Sequence, residues 1–118
     1  DLEKMQETLE AGLETRFTYA NEVATLFASE RESAKDLLSI WLRWWRDLLL
    51  IKEGADAFLH NSDYEESLKN QASGLSTAEV VQFINRLIQT MSNLDSNVNP
   101  RLAMEVLMLN LPIKAGQV

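Results

Sequence analysis

Apolar residues recur along this chain at spacings of three and four, and no stretch alternates with the period of two expected of a half-buried strand. Leu2, Met5, Leu9, Leu13, Phe17, Ala20, Val23 and Phe27 predict an opening helix. Gly12 falls inside that pattern, and the unbroken period across it predicts one long helix rather than two. Ser29 with Glu32 has the spacing of a capping box and predicts the next start. The helix that follows, to about Glu53, carries Leu37, Trp41, Trp44, Trp45 and Leu48 as a stripe. Leu38, Ile40, Leu42, Leu49 and Ile51 widen it to roughly 200° of the circumference. Asp36, Ser39, Arg43, Arg46 and Asp47 form the narrow polar sector. A helix this apolar is either central to a bundle or shared with a partner.

Gly54 suits the end of that helix. After a mixed stretch from Asp56 to Ser62, Asp63 with Glu66 predicts a cap for a short helix bearing Tyr64, Leu68 and Ala72, closed by Gly74. Ser76-Thr77-Ala78-Glu79 is a further capping box, with Leu75 and Val80 at the two positions of a hydrophobic staple. It opens a helix through Val81, Phe83, Ile84, Leu87, Ile88, Met91 and Leu94. Asn99-Pro100 reads as an N-cap followed by proline at the first helical position. The last helix carries Leu102, Ala103, Met104, Val106, Leu107, Met108, Leu109 and Leu111. Its polar line is short, mainly Arg101 and Glu105, and Pro112 ends it. The expected fold is all-α, a single-domain bundle of five or six helices.

Composition adds few constraints. At 118 residues, 46% apolar and 25% charged, the chain can bury a core. It has no cysteine, so thiol nucleophiles, thiolate metal sites and disulfides are excluded. A net charge of −7 argues against broad nucleic-acid binding. No apolar run reaches the ~20 residues of a membrane span. The chain starts at Asp1 directly in a helical pattern, which leads us to expect a piece of a longer protein.

Catalytic chemistry is hard to find. Gly12, Gly54, Gly74 and Gly116 are isolated, so no phosphate loop forms. His60, the only histidine, has no nucleophile at motif spacing and is expected on a surface loop. The acid pairs Glu30 with Glu32 and Glu65 with Glu66 are explained by caps and solvated faces. Neither a di-iron nor a zinc ligand set is present. No cofactor and no enzymatic activity are expected of this segment. Arg43, Arg46 and Asp47 fit two readings equally: a polar seam at an interface, or an i,i+4 surface pair between Arg43 and Asp47 worth about a few tenths of a kcal/mol. The tryptophans are expected in a core or partner interface; a tryptophan-lined ligand pocket is the alternative. The candidate interface residues are Trp41, Arg43, Trp44, Trp45, Arg46, Asp47, Leu50, Arg101 and Glu105.

Two segments carry a resemblance. Asn97-Val98-Asn99-Pro100-Arg101-Leu102-Ala103-Met104-Glu105-Val106-Leu107-Met108-Leu109 resembles the last helix of the carboxy-terminal domain of bacterial DNA polymerase III clamp-loader subunits. Trp41 to Lys52, with Trp45-Arg46-Asp47-Leu48-Leu49, resembles the long central helix of that domain. Arg16-Phe17 followed by Ala20 is a slighter likeness in the opening helix. The delta-prime subunits are nearest, and the gamma/tau subunits share a similar final helix. The resemblance implies a helical collar that joins subunits into a ring, in a cytoplasmic complex that loads the sliding clamp during DNA replication. It implies other clamp-loader subunits as partners, with no nucleic acid or membrane bound by this segment itself. The family's arginine finger lies in ATPase-like modules that precede the collar, so no residue here is expected to take that role.

Overall fold

The computed structural model describes residues 2–10 and 12–112, with the side chains of Leu9 and Glu10 left out of the description. Gly116 lies outside the described residues. Among those described there are six helices and no strand: α1 (Leu2–Glu10), α2 (Leu13–Ser29), α3 (Arg31–Lys52), α4 (Glu65–Ser73), α5 (Thr77–Asp95) and α6 (Pro100–Leu109). Two 3₁₀ turns, Asp56–Phe58 and Ser62–Tyr64, occupy the mixed stretch between α3 and α4.

The tryptophan helix is the axis of the bundle. Helices α2, α4 and α5 and the first 3₁₀ turn pack around α3, while α6 lies against α2 and α5. Of the predicted stripe, Trp41, Trp44, Trp45 and Leu48 are buried and Leu37 is half-buried; Leu38, from its flank, is buried with them. The wide apolar sector of α3 is therefore used largely inside the domain, against neighbours on three sides.

Several boundaries follow their local chemistry. The Ser76 hydroxyl accepts from the Glu79 N–H at 3.1 Å, and the Ser76 N–H donates to the Glu79 carboxylate at 2.9 Å. Leu75 and Val80, the staple pair, are both buried. Asn99 accepts from the Leu102 N–H at 3.1 Å with Pro100 in the first turn. Gly54 takes φ +73°, and the Ala55 N–H reaches back to the Leu50 carbonyl at 2.8 Å, as in a Schellman cap. Asn97 does the same for α5 with φ 62°, and the Val98 N–H donates to Asn93. Asparagine tolerates that left-handed conformation better than most residues.

Three predicted boundaries are corrected. The opening segment is two helices, because Gly12 is extended (φ −78°, ψ 178°) and caps α2. The apolar period across it depended on Leu13, which is 52% exposed; the buried face of α2 is Arg16, Tyr19, Ala20, Val23, Ala24 and Phe27. Ser29 does not cap α3. It is the last residue of α2, and its hydroxyl turns back to the Thr25 carbonyl at 3.2 Å, a local bond that competes with capping. Asp63 lies in the second 3₁₀ turn, so Tyr64 precedes α4 and no side chain caps it.

Ion pairs tie the ends of the bundle. Asp95 at the end of α5 meets Arg31 at 3.3 Å and Lys35 at 3.2 Å, both on α3. Arg31 also donates to the Leu94 carbonyl at 3.4 Å and lies over the Phe27 ring. A cation at a helix C-terminus suits both the unpaired carbonyls and the dipole.

Candidate functional site

The nine candidate residues separate into a core set and a surface set. Trp41, Trp44 and Trp45 are at most 1% exposed. The Trp41 indole N–H donates to the Tyr19 hydroxyl at 2.8 Å, and the Trp44 indole N–H donates to the Gln71 side-chain oxygen Oε1 at 2.8 Å. Trp45 packs against Phe83 with ring centroids 4.4 Å apart and the planes tilted by 45°, and its N–H has no acceptor among the described residues. These three rings face the interior of the domain and leave no surface for a partner.

Asp47 overturns both readings weighed from its spacing. It is 1% exposed and pairs with neither Arg43 nor a solvated face. Its carboxylate accepts from the His60 N–H at 2.9 Å, the Asn61 N–H at 2.8 Å and the Asn61 side-chain amide at 2.8 Å. Two backbone donors in a segment without regular secondary structure are thereby satisfied. On the helical wheel Asp47 borders Trp44, and the segment after Gly54 folds back onto that flank. His60 itself is exposed, as expected of a loop residue.

Arg43 and Arg46 are exposed and make no ion pair among the described residues. Leu50 is half-buried and falls on the same outward strip of α3 by helical spacing. Arg101 and Glu105 pair with each other on α6, 3.6 Å apart and one turn from each other.

The last helix carries a feature that the candidate set missed. Ala103, Met104, Leu107 and Met108 are buried against α2 and α5. Leu102, Val106 and Leu109 are 58%, 45% and 56% exposed. These three recur at i, i+4 and i+7, so they form one stripe on the side of α6 opposite its core. The signal was present in the sequence as a helix apolar on both faces.

Arg16 was also missed as a core residue. It is 3% exposed on α2, and its guanidinium reaches the Leu111 carbonyl at 3.5 Å, just beyond α6. Burial lowers its pKa from the usual arginine value. Arg16 thus sits where α2 meets the end of α6, and Ala20, one turn further along α2, is fully buried.

Among the described residues, no group of three or more acidic or histidine side chains is placed to hold a metal. No described helix is long and apolar enough to cross a membrane.

The family model for the carboxy-terminal region of the DNA polymerase III delta subunit matches residues 3–112. The chain belongs to that family. No curated protein and no solved structure matches it. The match takes in α1 from its second residue and runs past the end of α6, so it covers all six helices but for Leu2. That places the domain among the clamp-loader-related parts of DNA polymerase III.

Proposed function

We propose that this domain is an oligomerisation collar, which holds its parent protein against other clamp-loader subunits. The observation that carries the reading is the outer face of α6. Leu102, Val106 and Leu109 leave an apolar stripe in water on a helix already packed along its other side. Burying such a stripe stabilises association, by roughly 25 cal/mol for each Å² of apolar surface removed from water. The Arg101–Glu105 pair flanks the stripe and supplies polar contacts at its rim. Arg43, Arg46 and Leu50 on α3 form a second surface. Helices α3 and α6 share no extensive contact, and each packs mainly on other helices. A subunit with a neighbour on each side needs two such surfaces.

The finer reading is a delta-prime subunit, supported by the likeness of Trp41 to Lys52 and Asn97 to Leu109 to that subunit's helices. A delta collar, the subunit named by the family match, and a gamma/tau collar are the alternatives. In each reading the segment is not an enzyme; it positions catalytic modules carried elsewhere.

The test uses the full-length protein, with Leu102→Ser, Val106→Ser and Leu109→Ser combined. Circular dichroism and thermal unfolding should match the parent, because all three side chains are exposed. Co-purification with the other DNA polymerase III subunits should be lost. Wild-type protein that joins no clamp-loader complex would remove the reading altogether. Delta-prime identity predicts that the protein completes an assembly supplied with delta and gamma/tau but lacking delta-prime. Failure there, with success in place of delta or of gamma/tau, would select that subunit instead.

A further inference from the structure

Helices α3 and α5 run antiparallel. Asp95, at the end of α5, pairs with Arg31 and Lys35 at the start of α3, and further along Phe83 packs on Trp41 and Trp45. On α5, Val81, Ile88 and Asp95 recur at i, i+7 and i+14, so they share one row. On α3, Leu42, Arg46 and Leu49 continue the row of Arg31 and Lys35 by the same spacing. The Asp95 ion pairs set these two rows side by side along the helix pair. In that register Val81 falls level with Arg46, and Ile88 falls between Leu38 and Leu42.

The strip so formed is apolar but not covered. Val81 and Ile88 are 38% and 47% exposed, and Leu42 and Leu49 are only half-buried although they pack on the core. Its charge is uneven. Asp95 offsets Arg31 and Lys35 at one end. At the other end Arg46, with Arg43 beside it, is exposed and has no ion pair among the described residues. In a chain of net charge −7, two guanidinium groups free of carboxylates are a local exception.

We propose that the α3–α5 strip docks an amphipathic helix of a neighbouring clamp-loader subunit, whose apolar side chains cover Val81, Ile88, Leu42 and Leu49 and whose carboxylates meet Arg46 and Arg43. The inference rests on the collar reading and names the chemistry of one neighbour. Length favours a helix: Val81 to Asp95 spans roughly 21 Å, about four turns. Charge selects an acidic one, since a guanidinium and a carboxylate pair through two parallel hydrogen bonds. A second copy docked face to face would set Arg43 and Arg46 against the same arginines, and like charges repel. Anionic lipid and nucleic acid would meet the chain's overall negative charge.

Two variants of the full-length protein test the proposal, with affinity for the other DNA polymerase III clamp-loader subunits measured by biolayer interferometry. Val81→Ser combined with Ile88→Ser should weaken binding about tenfold or more. Arg46→Glu should weaken it about tenfold at low salt, and by less at 0.5 M salt, where charges are screened. Arg46 is exposed, so Arg46→Glu should unfold at the parent's temperature, and it keeps the test valid if the double serine variant does not fold. Wild-type affinity in Arg46→Glu at low salt would overturn the acidic partner. Wild-type affinity in a folded double serine variant would overturn the docking strip. If either happens while Leu102→Ser, Val106→Ser and Leu109→Ser together still abolish assembly, the collar reading stands and this inference alone falls. Self-association of the wild-type protein that the double serine variant loses would assign the strip to a second copy and also overturn the proposal.

Discussion

The Asp47 carboxylate holds Asn61 twice, through the backbone N–H and the side-chain amide, each at 2.8 Å. With the third bond, from the His60 N–H, this makes one buried side chain of α3 the anchor for the whole segment between Gly54 and α4. The same segment brings Tyr64 edge-on to Trp44 at 6.0 Å, so the anchor also closes the core on that side.

Removing the carboxylate should therefore cost more than an ordinary surface substitution. Asp47→Ala is expected to lower stability by about 2–4 kcal/mol, because it leaves two backbone donors and an amide without their acceptor. Urea unfolding gives the value. Hydrogen exchange should show the loss first at His60 and Asn61. A cost below about 0.5 kcal/mol would mean that the segment finds other partners.

Two glycines with open space around them should respond in opposite directions. A Cβ at Gly54 or Gly12 meets nothing within 4 Å, so only backbone conformation separates them. Gly54 has φ +73°, and Gly54→Ala should destabilise by about 1–2 kcal/mol. Gly12 is extended at the N-cap of α2 without a side-chain cap, and Gly12→Ser should stabilise by about 0.5 kcal/mol or more. Thermal unfolding of the two variants reads both signs.

These contrasts show which parts of the molecule were legible from residue order. The helical class, the capping box at Ser76, the N-cap at Asn99, the Gly54 terminus and most of the core stripe of α3 all depend on neighbours within one or two turns. Local spacing therefore suffices for them. Ser29 failed because a serine hydroxyl can bond forward as a cap or back to the preceding turn, and the spacing to Glu32 does not choose between them. Asp47 failed for a different reason. Its partners lie 13 and 14 residues away, and a helical wheel carries no information about a loop that returns. The surface stripe of α6 was half legible. Eight apolar positions were visible, but which of them α2 and α5 would cover depended on packing.

The three tryptophans offer a graded test of that packing. All are buried, yet Trp41 donates to Tyr19, Trp44 to Gln71, and Trp45 has no acceptor among the described residues. Replacement by phenylalanine keeps an aromatic ring and removes the N–H. Trp41→Phe should thus cost about 1–2 kcal/mol more than Trp45→Phe, since only the former breaks a satisfied buried bond. Denaturant midpoints at constant slope give the comparison. The reverse order would show that ring volume beside Phe83, rather than hydrogen bonding, dominates this core.

The Tyr19 hydroxyl predicts a stability loss in alkali. Burial raises its pKa to about 12; the Trp41 bond pulls the other way, and the Glu22 charge adds to the rise. An unfolded tyrosine ionises near ~10. The folded state thus favours the protonated phenol, and its contribution is fully present below about pH 10. It should fall as pH rises from there through about 12, by roughly 2–3 kcal/mol in total at 1.36 kcal/mol per unit. Lysines titrate in the same range, so the informative quantity is the difference between the wild-type chain and Tyr19→Phe. At pH 8 the variant should be the less stable of the two, having lost the acceptor for Trp41. Between pH 10 and 11.5 the gap should close or reverse, because only the wild-type chain has a phenol to ionise at this position. A gap that stays constant from pH 8 to pH 11.5 would show that Tyr19 ionises no less readily in the folded chain than in the unfolded one.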